Sequence, residues 1–242
     1  MYRRNFMRAG MATTALAALS SRVYAADNEQ PLRVGLIGSG WYGKTDLFHL
    51  MQVTPVEVVG VSDVDQEVLR EAAELVSQRQ PSGKLPKTYG DYRTLLSEQT
   101  PEVVLIGTPD HWHCLPMVEA CKAGADVYVQ KPISWDVVEG QAMVAAARKY
   151  DRTVQVGLQR RSTPHLLKAR DRFIKSGKLG KISYVDIHSY YGGPRDFPPP
   201  QAPPESLDWE TFVGPAPWRE YIPGVHQRKW RAFREFSNGQ TG

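Results

Sequence analysis

The chain is poor in cysteine, has no long apolar run, and its charge imbalance is confined to one end. Its two cysteines, Cys114 and Cys121, fall seven apart on a helix-like stretch. At 1.5 Å of rise per residue they lie ~10 Å apart along the axis, too far for a disulfide. A disulfide scaffold is excluded, and both read as small core residues rather than metal ligands. The charge-free run near the amino terminus, Ala9 to Leu19, is short of the roughly 20 residues that span a bilayer. The formal net charge of +4 equals the four arginines Arg3, Arg4, Arg8 and Arg22, with no acidic residue among the first 25 positions. Setting those positions aside leaves 26 basic residues against 26 acidic ones. No basic patch remains to suggest nucleic acid as a partner. No internal repeat of fixed period is found. With 242 residues, 41% of them hydrophobic, the chain can bury a real core and is neither disordered nor fibrous.

What is present begins with "YRRNFMRAGMATTALAALSSRVYAAD". Arginines, an uncharged run and the small-residue pattern Val23-Tyr24-Ala25 read as an export signal over residues 1–25. The pair Arg3-Arg4 followed by Asn5 and Phe6 resembles a twin-arginine signal, which implies export of a folded protein to the periplasm. An ordinary secretory signal or an uncleaved anchor fits the same composition.

Beyond it, apolar runs alternate with amphipathic ones. Strands are expected at 32–38, 56–62, 102–107, 126–129 and 153–157, with helices near 43–53, 65–79, 111–123 and 134–149 between them. This β-α-β alternation predicts an α/β fold, a doubly wound parallel sheet covered on both faces, over residues 31–157. The pattern then changes to a helix-like 163–176, a strand-like "KISYVDIHSYY" and the proline-rich "GGPRDFPPPQAPP". A second domain, a partial α/β (α+β) unit, is expected over 158–242.

The chemistry-bearing motifs sit where the expected strands end. In "GLIGSGWYGK", Gly38, Gly40 and Gly43 form G-x-G-x-x-G after a strand and before a helix, with Ser39, Trp41 and Tyr42 between them. Gly38 permits the tight turn, Gly40 lets a pyrophosphate approach the backbone, and Gly43 lets the helix lie close to the sheet. This is a Rossmann fingerprint. Asp63, twenty residues beyond Gly43 in "GVSDVD", is placed to accept hydrogen bonds from the ribose hydroxyls of NAD and to repel a 2′-phosphate; a helix cap is the other reading of that aspartate. At the end of the next strand, "IGTPDHWHCLP" puts Thr108 and Pro109 on the carboxyl edge and Asp110, an N-cap candidate, ahead of a helix. His111 and His113 lack a third ligand at usual spacing, so no metal is expected, and a neutral histidine near the cofactor is the better reading. "ADVYVQKPIS" then carries Gln130 and Lys131 to a strand end before a proline. "GLQRRSTP" carries Gln159, Arg160 and Arg161 to the next edge, where an arginine would bind a substrate carboxylate or hydroxyls or form an interdomain ion pair.

Taken in order and separation, "GSGWYG", "SDVD", "TPDHWH", Lys131-Pro132 and "VQVGLQRRS" resemble the Gfo/Idh/MocA oxidoreductases over about residues 32–242. The resemblance implies an NAD(P)-dependent enzyme acting on a sugar, sugar acid or cyclitol, or an NAD-dependent glycosidase. It also implies a homo-oligomer assembled through the open sheet of the second domain. Thr108, Pro109, His113 and Gln130 would join the glycine loop and Asp63 around NAD. Lys131 would reach both the nicotinamide ribose and a substrate hydroxyl, favouring negative charge on the oxygen whose proton moves as hydride moves. The usual signature at that lysine is Glu-Lys-Pro; here it is Gln130-Lys131-Pro132, which keeps hydrogen bonding but not charge. Aromatics in "LDWETFVGPAPWREYIPGVHQRKWRAF", namely Trp209, Trp218, Tyr221 and Trp230, are expected in a core, with stacking on sugar rings as the other reading. The resemblance places an Asp/His catalytic motif after a turn like "EFSNGQTG", where this chain ends. The 242-residue chain is accordingly expected to lack that base and to be inactive or nearly so, unlike a longer product; His188 and His226 do not match the motif.

Overall fold

β1 (Leu32–Ile37) is the central strand, and the alternating order expected from sequence is built around it in a computed structural model that describes residues 30–188 and 196–239. The reading of residues 1–25 as an export signal lies outside the described residues. After β1 come α1 (Trp41–Leu50), β2 (Val56–Ser62), α2 (Gln66–Ser77), β3 (Lys87–Tyr89), α3 (Tyr92–Gln99) and β4 (Val103–Ile106). Then follow α4 (Cys114–Lys122), β5 (Asp126–Gln130), α5 (Val137–Lys149), β6 (Val154–Gly157) and α6 (Pro164–Ala169). The six strands pair in parallel in the order β3-β2-β1-β4-β5-β6. This is the Rossmann-type doubly wound sheet, whose order reverses between β1 and β4 and so opens a crevice at the strands' carboxyl ends.

Local chemistry explains the elements. Val34, Leu36, Ile37, Val104, Leu105 and Ile106 are all buried, because helices cover both faces of the central strands and neighbouring side chains point into opposite cores. α2, α3 and α5 each open on an aspartate, Asp65, Asp91 and Asp136, whose carboxylate accepts from backbone N–H groups of the first turn and satisfies donors the helix itself leaves open. Cys114 and Cys121 are free and buried on α4, as expected.

Three features differ from expectation. β3 and α3 have no counterpart in the sequence reading: β3 is three residues long with one buried side chain, Tyr89, too short to show alternation. "KISYVDIHSYY" is not a strand over its described part: residues 181–188 are exposed and join no sheet. Strand propensity without a partner ladder does not make a strand. The helix-like 163–176 is α6 followed by a wider π-type turn over Arg170–Lys175.

Leu207, Trp209, Phe212, Val213, Tyr221, Ile222, Val225, Trp230 and Phe236 form a third apolar cluster around α7 (Trp209–Val213). Trp209, Tyr221 and Trp230 are core residues, whereas Trp218 is 66% exposed. The cluster is tied to the carboxyl end of β2 by Gln66 N–H to Ser206 O at 2.8 Å and Asp208 N–H to Val64 O at 3.0 Å. Among the described residues no helix is long and apolar enough to cross a membrane.

Candidate functional site

The crevice is floored by the turn from β1 into α1. Gly38 has φ +82°, and a Cβ there would stand 2.6 Å from Thr108 N; one on Gly43 would stand 2.0 Å from Gly38 O. Gly40 is different: a Cβ there would meet nothing within 4 Å, and it caps α1 without a side-chain hydrogen bond. Open space therefore adjoins the positive end of a ten-residue helix, whose first N–H groups have no acceptor within the helix. Donors, positive potential and a side-chain-free approach fit a pyrophosphate. Trp41 and Tyr42 flank the opening, exposed at 65% and 37%, and the Arg228 guanidinium lies 5.4 Å from the Trp41 ring centre.

Asp63 stands just past β2 and pins this loop. Its Oδ2 accepts from Ser39 N–H at 2.7 Å and Ser39 Oγ at 3.0 Å; its Oδ1 accepts from Asp65 N–H at 3.1 Å. Three of about four lone-pair positions are filled, leaving capacity for a ribose hydroxyl. Burial pushes the Asp63 carboxyl above its ordinary range, opposed by these hydrogen bonds. The side chain that caps α2 is Asp65, not Asp63; Asp65 also receives His226 Nε2 at 3.4 Å. His226 is thus held beside the ribose end of the crevice, whereas His188 is exposed and pairs with Asp186 at 2.7 Å.

At the end of β4, Thr108 Oγ donates to Trp112 O at 3.0 Å, and Pro109 leads into a 3₁₀ turn over Asp110–Trp112. Asp110 does not cap α4 as expected. It is buried, accepts from Ser237 Oγ at 2.6 Å and has Arg231 Nη2 at 4.0 Å; the carboxyl-terminal segment has recruited it. Burial raises its pKa, with the charges of His113, Arg231 and Lys131 acting the other way, so Lys131 lies within electrostatic reach. His111 Nε2 meets Phe212 O at 2.9 Å, and burial lowers its pKa to about 4. The ring is therefore neutral near pH 7 and donates from Nε2. His113 is buried in the seam between two loops, Nδ1 at 2.6 Å from Pro132 O and Nε2 at 3.0 Å from Thr108 O, with its pKa lowered by burial. It joins the ends of β4 and β5 rather than lining the opening.

Gln130 closes β5. Its Nε2 donates to Asp46 Oδ2 at 2.6 Å and its Oε1 accepts from Lys131 N–H at 2.8 Å; the Lys131-Pro132 bond that follows is cis. Arg160 and Arg161 sit exposed on the 3₁₀ turn after β6, one strand further out. The structure thus gathers Gly38, Ser39, Gly40, Trp41, Tyr42, Gly43, Asp63, Thr108, Pro109, Gln130 and Lys131 along one edge, with His113 beneath it. Asp46, Arg228, Arg231 and Ser237 escape sequence reasoning, for none stands in a local motif. Among the described residues, no group of three or more His, Cys, Asp or Glu could hold a metal ion.

A family model described as "Oxidoreductase family, NAD-binding Rossmann fold" matches residues 32–158. An uncharacterized oxidoreductase, YrbE, of Bacillus subtilis is 28% identical over 166 residues, which cover 69% of this chain and 45% of the relative. A glycosyl hydrolase family 109 protein of Shewanella baltica is 29% identical over 174 residues, covering 62% and 37%. The crystal structure of myo-inositol 2-dehydrogenase from Lactobacillus plantarum superposes with a TM-score of 0.55 at 25% identity, covering 63% of this chain and 43% of that one. The chain spans less than half the length of these relatives.

His111 yields a pH test. Because its folded pKa is lowered, its contribution to stability is complete above the unfolded value of 6.5 and is lost as pH falls toward about 4. Asp46, Asp63 and Asp110 have raised values and act with the opposite sign, so a difference measurement is required. The stability gap between the wild type and His111→Gln, measured by urea unfolding from pH 8 to pH 4, is expected to narrow below pH 6.5 by at most about 1.4 kcal/mol per pH unit. A constant gap would mean that His111 is not the buried neutral donor described.

Proposed function

Because the chain belongs to the Gfo/Idh/MocA family of NAD-binding oxidoreductases, we propose that it is the dinucleotide-binding part of an enzyme that oxidises or reduces a carbinol of a sugar, sugar acid or cyclitol. The observation that carries this reading is the convergence of the glycine loop, Asp63 and the Lys131 turn on one crevice edge. NAD, when bound, supplies the hydride acceptor or, reduced, the donor. The residues that would hold it are the first N–H groups of α1 at its phosphates and Asp63 at its ribose. Thr108, Pro109 and Gln130 line the way to the nicotinamide end. Lys131 is assigned the substrate hydroxyl: an ammonium there stabilises the oxygen as it loses its proton and can pass that proton on. Arg160 and Arg161 are assigned to substrate oxygens. The myo-inositol dehydrogenase likeness supports a cyclitol-like polyol. The glycosyl hydrolase family 109 relative supports a second reading, a redox-neutral glycoside cleavage on the same cofactor site.

Export through the twin-arginine route is part of the proposal and rests on residues 1–25 alone, as does a periplasmic location. A protein exported folded would carry its dinucleotide with it. Homo-oligomerisation of the full-length form is also proposed, supported by the exposed apolar side chains of Ile182, Tyr184, Val185 and Ile187.

Three measurements follow. Calorimetric titration is expected to show NADH bound at least about tenfold more tightly than NADPH, a difference of ~1.4 kcal/mol, with Asp63→Ala abolishing that preference because acceptor and like charge go together. Equal affinities in the wild type would remove Asp63 from specificity. In a longer product that turns over substrate, Lys131→Ala is expected to lower turnover about a hundredfold while changing NADH affinity by less than about threefold, since its proposed partner is the oxygen that changes charge; unchanged turnover would remove it from the mechanism. Replacing Arg3 and Arg4 together by lysine is expected to leave folded protein in the cytoplasm, and continued export would point to the general secretory route.

A further inference from the structure

We propose that Asp46 is the positioning residue of the lysine turn: its carboxylate, carried on α1, fixes the orientation of Gln130 and through it the backbone at Lys131. The inference rests on the site reading above for its functional meaning, but its geometry stands alone. Gln130 is 5% exposed, so neither end of its amide can turn to water. An ionised carboxylate only accepts hydrogen bonds, so the Gln130 NH₂ must face Asp46 and its carbonyl must face the Lys131 N–H. The bond to Asp46, at 2.6 Å, is charge-assisted and among the stronger kinds. It removes the usual ambiguity of a glutamine amide.

The packing around the pair leaves little alternative. The Gln159 side chain, on the turn after β6, acts on Asp46 as well, favouring its charged form. A Cβ at Gly157 would stand 2.7 Å from the Tyr128 hydroxyl and 3.1 Å from Gln130 Nε2; the absence of a side chain there makes room for the network. The titratable groups facing Asp46 are His49 on its own helix and Tyr128 on β5. One carboxylate on α1 therefore holds the amide at the end of β5. It stands three residues after Gly43, on the helix whose first N–H groups face the dinucleotide site. The phosphate-binding helix and the lysine turn are fastened to each other at this point. The negative charge that a glutamate at position 130 would put beside the lysine is held one side chain further back, on Asp46.

Amide hydrogen exchange, thermal unfolding and NADH titration on four proteins test this: wild type, Asp46→Ala, Gln130→Glu and the double variant Asp46→Asn/Gln130→Glu. In Asp46→Ala the Lys131 amide is expected to exchange at least about tenfold faster while amides of β1 and β4 keep their protection; a purely structural role would loosen all of them together. Gln130→Glu sets two carboxylates in contact and is expected to lower the melting temperature and to speed exchange at Lys131. The double variant reverses donor and acceptor: the new amide at position 46 gives the N–H and the new carboxylate at position 130 takes it. It is expected to restore both properties to near wild type. Should Asp46→Ala not fold, the comparison of Gln130→Glu with the double variant carries the test. Unchanged exchange at Lys131 in Asp46→Ala, or a double variant no better than Gln130→Glu, would overturn the assignment. Wild type that fails to bind NADH while the exchange results hold would overturn the cofactor reading instead.

Discussion

Three backbones meet without a side chain between them where β1, α1 and β4 converge, and the crevice depends on that contact. A Cβ on Gly43 would strike Gly38 O at 2.0 Å, one on Gly107 would reach Gly43 Cα at 2.6 Å, and one on Gly38 would reach Thr108 N at 2.6 Å. Distances this short leave no rotamer to adjust, because the obstacle is backbone. With the contact made, Gly38 N–H reaches Ser62 O and Gly107 N–H reaches Ile37 O, each at 2.8 Å, so the ends of β1, β2 and β4 are locked in one register. The α1 N-terminus is then set down at the sheet's edge with its donors outward. Any side chain at Gly43 would lift the helix, and the pyrophosphate site would go with it.

On that frame the edge is built from buried and half-buried carboxylates held by neutral donors. Asp63 takes backbone N–H groups and a serine hydroxyl, Asp46 takes the Gln130 amide, and Asp110 takes the Ser237 hydroxyl. Burial raises the pKa of all three. Each hydrogen bond to a charged group contributes on the order of 1.5–3 kcal/mol, which offsets a desolvation cost of similar size without introducing a second buried charge. A carboxylate satisfied this way is fixed in orientation, which suits an edge that must orient hydroxyls and a lysine. Cations stand beside it: Arg228 over an exposed tryptophan, and half-buried Arg231 in a long ion pair with Asp110 at 4.0 Å.

The parts legible in the sequence are those whose signal is local. Five of six strands, the glycine loop, Asp63 and the strand-end lysine each announce themselves within about ten residues, by apolar runs, glycine spacing or position at a strand end. The family resemblance rests on the same pieces. What stays hidden is either too short to show a period, as with β3, or a contact between distant positions. Asp46 and Gln130 lie 84 residues apart and Asp110 and Ser237 lie 127 apart. Nothing near Asp46 in "GKTDLFHL" distinguishes it from a solvated helix aspartate. "KISYVDIHSYY" fails in the opposite direction: its composition favours a strand, but a strand is made by a neighbouring strand, and its described residues join no sheet.

The two histidines of "TPDHWH" show why spacing has to be read through local geometry. Two residues apart on a strand they would share a face, and two ligands of a metal would be a fair reading. They fall instead at the 3₁₀ turn after Pro109, where three residues complete a turn and positions i and i+2 diverge by about 120°. His111 accordingly points into the carboxyl-terminal cluster, its ring centre 4.8 Å from that of Phe236, while His113 points into the seam between Thr108 and Pro132. Asp110, just ahead of them, completes the division by binding Ser237. One short turn thus fastens the carboxyl-terminal segment with one histidine and the Lys131-Pro132 loop with the other. The edge of β4 is the joint through which that segment and the lysine turn are held in a common frame.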